Sequence, residues 1–339
     1  MEVTLNKKAI GLLSGGLDST LAVGIMLDMG IEITALNFMS PFCTCTSKSA
    51  GCKSQASRMA DEFGIKIRLV YMGQEYINMV TNPRYGYGRN LNPCLDCRIM
   101  FFKKAKDIMV EEGASFIFTG EVLGQRPMSQ RRDTFNIIER DSGLKGFILR
   151  PLSAKHFEPT IPEKEGIVDR ELLLGLSGRS RKGQIRLAEE MGINDYPCAS
   201  GGCLLTELNF AKRMKDLIEY MEIPAVKDTK FLRIGRHFRI DKNCKVIVGR
   251  DEAENEKLER LATSDDYLLS VDGYRGPLTV VRGMIKNDLI QIASQITVRY
   301  SDAPRDREIQ VNCRRKLDNL QSTVFVRAMD DEMLNPIRI

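Results

Sequence analysis

The sequence predicts an α/β fold, a doubly wound parallel sheet followed by a smaller C-terminal α+β domain. Two observations predict it. Through the first half, short apolar runs alternate with amphipathic segments of helical period, the pattern of a parallel sheet covered on both faces. After Pro224 that alternation stops, and strand-like runs separated by Gly and Asp turns take over. In order, residues 9–13 read as a buried strand and 18–29 as a helix with Leu21, Ala22, Ile25 and Met26 on one face. Residues 33–38 read as a strand, 53–63 as a helix stopped by Gly64, 67–71 as a strand, 97–112 as a helix stopped by Gly113, and 115–119 as a strand. Pro151, Pro159 and Pro162 break the pattern; 169–176, 181–191 and 208–221 then read as helices, and 231–234, 246–248 and 278–281 as strands. The expected boundaries are 1–165, 166–222 and 223–339, with no internal repeat or low-complexity tract.

The chain has 339 residues, 43% of them hydrophobic and 28% charged, enough for two or three cored domains. A net charge of +5 leans toward anionic partners without proving them. No run reaches the ~18 apolar residues of a membrane span, and the N-terminal apolar run is too short for a secretory signal. The expectation is a cytoplasmic protein with no membrane association. Nine cysteines in a reducing compartment then need a reason. Cys43, Cys45 and Cys52, then Cys94 and Cys97, then Cys198 and Cys203 are clustered, which suggests metal or sulfur chemistry; Cys244 and Cys313 stand alone and read as buried small apolar residues.

Ser14, Gly15, Gly16, Leu17, Asp18 and Ser19 lie between the first strand and the first helix. Paired glycines let backbone approach a polyphosphate, and the amides and dipole of a helix start favour an anion. Ser14 and Ser19 add hydroxyls, and Asp18 can hold Mg2+. The plainer reading is a glycine turn capping a helix. No Walker A lysine follows at the required spacing. The hexapeptide resembles the PP-loop ATP pyrophosphatases, which implies a PP-loop/HUP-like fold, ATP, attack at the α-phosphate and pyrophosphate release. Thr119 and Gly120, after the next strand, would close the nucleotide pocket at the carboxyl edge of the sheet. Gln125, Arg126 and Gln130 could hold base or phosphates.

Cys94 and Cys97 form a Cys-x-x-Cys pair opening a helix, where thiol pKa is expected to fall. A redox pair is the plainer reading. Two thiolates are too few for a closed metal site; Cys203, with Cys198 as competitor, could supply a third. Three thiolates around a 4Fe-4S cluster would leave one iron open to carry sulfide; the alternative is a persulfide on Cys97 or Cys203. The cluster is preferred. The Asn92-Pro93-Cys94 to Cys97 element downstream of the phosphate loop is similar to that of tRNA 2-thiouridylases and 4-thiouridine synthetases. Residues 119–130, 149–154, 178–182 and 201–206 resemble a bacterial subgroup of thiouridylase-like PP-loop proteins, and the resemblance spans roughly residues 8–215. It implies ATP-dependent tRNA thiolation, with Asp18, Cys94, Cys97 and Cys203 as the catalytic set. The sulfur donor would be sulfide or a cysteine desulfurase persulfide, and a homodimer is compatible with it. The trio Cys43, Cys45 and Cys52 is either a relay or second metal site, or a nonessential loop.

Arg126, Arg179 and Lys182 are candidate RNA contacts; for these, for the loop arginines Arg131 and Arg132 and for Arg150 and Arg181, solvated surface is an equally good reading. Residues 246–258 and 276–282 resemble an NFACT-R RNA-binding domain, with Asp251 where that family usually has Asn. Arg233, Arg236, His237 and Arg239 form a basic run before it. On a strand, Arg233 and Arg239 would share one face and Arg236 the other. With Arg250, Arg236 is a candidate for RNA backbone contact. The THUMP and rhodanese domains of some 4-thiouridine synthetases are not recognisable.

Overall fold

The computed structural model describes residues 5–44, 52–194 (side chains from Gln55), 196, 202–284, 286–317 and 321–339. They divide into two units, Met1–Thr206 and Glu207–Ile339. The segment expected as a separate adaptor, 166–222, is therefore shared between them.

Alternation along β1 (Lys8–Leu12) sets the architecture of the first unit. Successive side chains of a strand point to opposite faces. Ala9 packs in one layer with Leu21 of α1 (Leu17–Asp28), Met59 of α2 (Cys52–Glu62) and Ala188 of α7 (Lys182–Glu190). Ile10 packs in the other layer with Phe102 of α4 (Cys94–Glu111) and Ile138 of α5 (Arg132–Ser142). A strand buried on both faces must be apolar at every position, and β1 is central to the sheet. β2 (Glu32–Met39) and β3 (Lys66–Tyr71) extend it on one side. β4 (Phe116–Thr119) and β5 (Ile148–Leu149) extend it on the other. All pairings are parallel and the order is β3-β2-β1-β4-β5. The order reverses between β1 and β4, so the loops leaving these two strands diverge and open a crevice at the carboxyl edge. Two short helices, α3 (Gln74–Thr81) and α6 (Ile161–Lys164), complete this unit.

The stretch 169–176 is not a helix beyond a single 3-10 turn at Arg170–Leu172. Its backbone pairs with the chain after β5 instead: Leu174 N donates to Pro151 O and Leu176 N to Leu152 O.

The second unit opens with α8 (Leu208–Tyr220) and α9 (Val226–Phe231). Its six-stranded antiparallel sheet runs β11-β10-β8-β9-β7-β6. The strands are β6 (Arg236–Asp241), β7 (Cys244–Val248), β8 (Tyr267–Val271), β9 (Thr279–Gly283), β10 (Ile309–Arg315) and β11 (Gln321–Val326). α10 (Glu252–Leu261), α11 (Asn287–Arg299) and α12 (Asp331–Ile337) fill the connections and the end. β7 alternates as β1 does. Val246 and Val248 pack with Leu289, Ala293 and Ile296 of α11, whereas Ile247 faces Phe231 and Leu258. Residues 231–234, expected as a strand, instead finish α9 and turn, with Leu232 N bonded to Thr229 O and Ile234 N to Phe231 O. A short apolar run satisfies either period, and here packing against α10 decides. Asp251 caps α10 by accepting from Glu254 N.

α8 is fixed to the sheet by charge. Asp216 accepts from Arg239 at 2.9 and 2.7 Å and from Lys245 Nζ at 2.6 Å. Asp216 and Lys245 are buried. Truncating one member leaves the others charged and unpaired in a site of low polarity. Asp216→Ala is expected to cost the second unit about 3–5 kcal/mol, read as a lowered urea midpoint against a Leu208→Ala control on the exposed face of the same helix.

Candidate active site

The loop after β1 is organised by its own hydroxyls. Ser14 N donates to Ser19 Oγ at 3.2 Å, and Ser19 Oγ donates to Gly16 O at 2.8 Å. The Ser14 and Ser19 hydroxyls lie 3.1 Å apart. Gly16 is the N-cap of α1 and brings no side-chain cap, so no side chain takes the place of an anion at the first amides. Gly15 has φ +77°. A Cβ there would also fall 2.7 Å from Ala56 N within α2. Gly120, leaving β4, is more tightly held: a Cβ would lie 2.3 Å from the carbonyl carbon and oxygen of Asp18. The two loops of the crevice therefore touch main chain to main chain. Thr119 is buried, and its hydroxyl donates to Glu121 at 3.3 Å.

Asp18 Oδ2 accepts from Gln125 Nε2 and from Arg181 Nη2, both at 3.0 Å. Its Oδ1 is buried with no hydrogen-bond partner among the described residues. An orphaned carboxylate oxygen beside a phosphate loop suits Mg2+. Arg181, which read as surface, faces this loop instead.

Cys94 and Cys97 occupy the first turn of α4, with Pro93 as its N-cap. Asp96, between them, accepts from the amides of Arg84 and Tyr85 at 3.0 and 3.1 Å, which fixes that turn. Cys203 joins from the far end of the unit, just ahead of a 3-10 turn at Leu204–Thr206. Cys43, which follows β2, pairs with Cys203 as an antiparallel bridge. Charge on Cys43 or Cys94 is felt at both Cys97 and Cys203, so the four thiols share one pocket. Tyr76 of α3 places its hydroxyl 3.2 Å from Cys97 Sγ. Sequence reasoning missed Tyr76 and left Cys43 undecided; the position of Cys43 just past β2, on the same sheet edge as the loop, was the available signal.

The expected lowering of the thiol pKa values at the helix start is reversed. Burial pushes Cys97 up to about 11 and Cys203 up to about 12. Burial also raises Cys94, against the opposing pull of Arg98 and Arg126. At the helix start desolvation outweighs the pull of Arg98 on Cys94 and Cys97. Among the described residues no three His, Cys, Asp or Glu side chains are grouped so as to hold a metal ion. Cys45 and Cys198 lie outside the described residues, as does the side chain of Cys52. Cys244 and Cys313 are buried in the second unit.

Arg98, next to Cys97, reaches Glu121 at 3.4 Å, and Arg150 reaches the same carboxylate at 3.5 Å. Arg150 is buried and stacks over Phe135 at 3.9 Å, so it is structural and not a surface contact. Arg126 lies within electrostatic reach of Asp18, Glu121 and Cys94, between loop and thiols. Arg179 and Lys182 are exposed. In the second unit, Arg236 stacks over Tyr300 at 4.6 Å and donates to Gly249 O at 3.2 Å. Arg250 donates to Gly235 O at 2.8 Å. Both line an open cavity of about 490 Å³ with Asn255, Arg275 and Tyr300. Arg239 does not join them, being taken by Asp216, and Arg233 precedes the strand.

Residues 4–161 match the family described as thiamine biosynthesis protein (ThiI), and residues 235–336 match the NFACT protein RNA binding domain. The first match lies within the first unit and the second within the second. It is 23% identical over 333 residues to a tRNA-specific 2-thiouridylase MnmA of Marinobacter nauticus, covering 88% of this chain and 80% of that protein. It is 32% identical over 152 residues to a probable tRNA sulfurtransferase of Lysinibacillus sphaericus, covering 45% of this chain but 36% of that protein. A solved 4-thiouridine synthetase–RNA complex with bound ATP aligns over 62% of this chain and 51% of that one, at 23% identity and a TM-score of 0.35. Among the described residues no helix is long and apolar enough to cross a membrane.

Two outcomes follow from the geometry of the first unit. Gly120→Ala is expected to lose ATP binding by at least about tenfold, because backbone cannot yield as a side-chain tip can. Gly16→Ala meets nothing closer than Ser14 Oγ at 3.5 Å and is expected to keep it; calorimetric titration with ATP compares them. Alkylation of Cys203 by iodoacetamide is expected to keep accelerating with pH beyond 10, since its thiolate fraction grows until about 12. An ordinary thiol would level off above about 9.

Proposed function

We propose that the protein is a cytoplasmic, ATP-dependent sulfurtransferase that converts uridine to thiouridine in tRNA. The observation that carries this reading is the convergence of the phosphate loop and the four thiols on one sheet edge of the first unit. ATP chemistry alone would fit many acceptors; buried thiols beside it favour sulfur as the incoming nucleophile. The RNA-binding match of the second unit supports RNA as the acceptor.

In this reading the loop amides and the Ser14 and Ser19 hydroxyls hold the polyphosphate. Asp18 would hold Mg2+, which when bound neutralises phosphate charge and favours departure of pyrophosphate. The base oxygen attacks the α-phosphorus and becomes an adenylate, so that the carbon bearing it accepts a sulfur nucleophile and AMP leaves. Arg126 and Arg98, beside Cys94, stabilise negative charge on sulfur. Cys97 and Cys203 carry the sulfur, taken as sulfane sulfur from a desulfurase persulfide whose own thiol leaves as the sulfur is passed on. An all-thiol donor set has the chemistry of a 4Fe-4S site, but the described thiols are not drawn into a ligand group, so no step is routed through a cluster. Arg126, Arg179 and Lys182 in the first unit, and Arg236 and Arg250 in the second, are assigned to RNA contact, with affinity falling as salt rises.

With tRNA, ATP and a sulfur source, pyrophosphate release should depend on RNA, and nucleoside mass spectrometry should detect thiouridine. Asp18→Asn is expected to lower pyrophosphate release by about 10²-fold or more. Cys97→Ser and Cys203→Ser should retain pyrophosphate release and lose thiouridine. Thiouridine formed at the wild-type rate by the triple Ser variant at Cys94, Cys97 and Cys203 would overturn sulfur carriage by these thiols, and pyrophosphate release that needs a carboxylate substrate and no RNA would point to a ligase.

A further inference from the structure

The segment between α3 and α4 contains Arg84-Tyr85-Gly86-Tyr87-Gly88-Arg89-Asn90, aromatic rings interleaved with cations and glycines, and the sulfur chemistry set out above uses none of it. It is tied to both thiol-bearing segments. Asp96, between Cys94 and Cys97, holds the amides of Arg84 and Tyr85. Just past Cys203, Leu205 O accepts from Leu91 N at 3.2 Å and Thr206 O from Asn90 Nδ2 at 2.7 Å. The side chains of Arg84 and Tyr85 are spent on Asp141, at 3.0 and 2.5 Å. Tyr87 is held differently. Its hydroxyl donates to Val80 O in the last turn of α3 at 2.7 Å, which fixes the ring, and the residue stays 39% exposed. Met128, 46% exposed, packs on the next residue: a Cβ on Gly88 would fall 2.3 Å from Met128 Sδ and Cε. Two residues before Met128 is Arg126, within electrostatic reach of Cys94. A fixed ring, a thioether and the exposed Arg89 therefore border the thiol pocket.

We propose that Tyr87 and Met128 form a stacking platform for the nucleotide next to the reacting uridine, with Arg89 on its phosphate. The proposal rests on the sulfur-transfer reading for the identity of the reacting base. That base must enter the pocket, so its neighbour, one phosphodiester away, is held at the mouth. Withdrawing a base from a stacked RNA loop costs the contacts on both of its faces, and a ring at the mouth gives the bereft neighbour a new one. The flat face of a tyrosine accepts any base, because every base has a π-face. The thioether beside it is polarisable and adapts to whichever base arrives. Glycines stand on both sides of Tyr87 in the chain, so neither sequence neighbour covers the ring, and backbone can approach a ligand closely. Selection is then by structure and not by sequence. A uridine inside a duplex has a paired neighbour that cannot leave its stack cheaply, whereas a uridine in a single-stranded loop offers one that can.

Two measurements on the full-length protein test this, with Tyr87→Ala, Tyr87→Phe and Arg89→Gln each checked for folding by circular dichroism. The first is fluorescence anisotropy with labelled oligouridine of about a dozen nucleotides. Tyr87→Ala is expected to weaken binding at least about fivefold, while Tyr87→Phe, which keeps the ring, stays within about twofold of wild type. Arg89→Gln should flatten the slope of log Kd against log salt by about 0.7, the share of one phosphate on a single strand. The same oligonucleotide annealed to oligoadenosine should bind wild type and Tyr87→Ala alike. Unchanged single-strand binding by Tyr87→Ala, a loss in Tyr87→Phe as large as in Tyr87→Ala, or equal losses on single strand and duplex would overturn the platform. The second is pyrophosphate release with tRNA. Tyr87→Ala should raise the KM for tRNA at least about fivefold and leave the KM for ATP unchanged, and Tyr87→Phe should restore the wild-type value. An unchanged KM for tRNA in Tyr87→Ala would also overturn the proposal. If wild type releases no pyrophosphate with tRNA, the sulfur-transfer reading falls, whereas the oligouridine titration still decides the platform.

Discussion

The contact between Gly120 and the first turn of α1 is the constraint on which the site depends. A hydrogen atom is all that fits between the Gly120 Cα and the Asp18 carbonyl. Because the contact is main chain on main chain, the loops leaving β1 and β4 hold one separation. The donors of the loop are placed relative to it, the amides after Gly16 and the Ser14 and Ser19 hydroxyls, and so is the Asp18 carboxylate, which accepts. Asp18 in turn gathers Gln125 and Arg181 from distant parts of the unit. The parallel sheet makes this possible, since a reversal of strand order lets two loops diverge and then meet at their bases.

The thiol pocket obeys a different balance. Four cysteines are brought into it with little compensating positive charge, and burial dominates their titration. The carboxylate nearest in sequence, Asp96, is turned away to the amides of Arg84 and Tyr85, which removes a like charge. Arg98 is partly spent on Glu121. Thiols in such a setting rest protonated, guarded against adventitious oxidation, until an incoming charge or sulfur changes the balance. The backbone bridge at Cys203 and the hydroxyl of Tyr76 at Cys97 give the two thiols different neighbours, and so different chemistry.

The C-terminal unit divides its basic residues by burial. Arg239 and Lys245 saturate Asp216 and anchor α8, while Arg236 and Arg250 sit at the rim of an open cavity. Residues that look equivalent in a run of arginines therefore do separate work. One group fixes the helix to its sheet, and the other keeps a charged, aromatic-backed surface.

The sequence by itself determined the winding of the first unit, because a strand such as 9–13 that is apolar on both faces can lie only inside a sheet with two helical layers. It also placed between β1 and α1 a loop whose glycines and hydroxyls are contiguous. Residues 231–234 and 169–176 were not legible, since a short apolar run satisfies strand and helix alike until its packing partners are known. Only the tertiary structure decided which cysteines meet. Cys43 and Cys203 are 160 residues apart, and nothing local to either records the bridge that registers them. Likewise Arg150, Arg181 and Arg239 became buried or paired through partners distant in the chain. Local chemistry is written in neighbouring residues; burial and long-range pairing, which set thiol reactivity and charge here, arise only when the chain closes on itself.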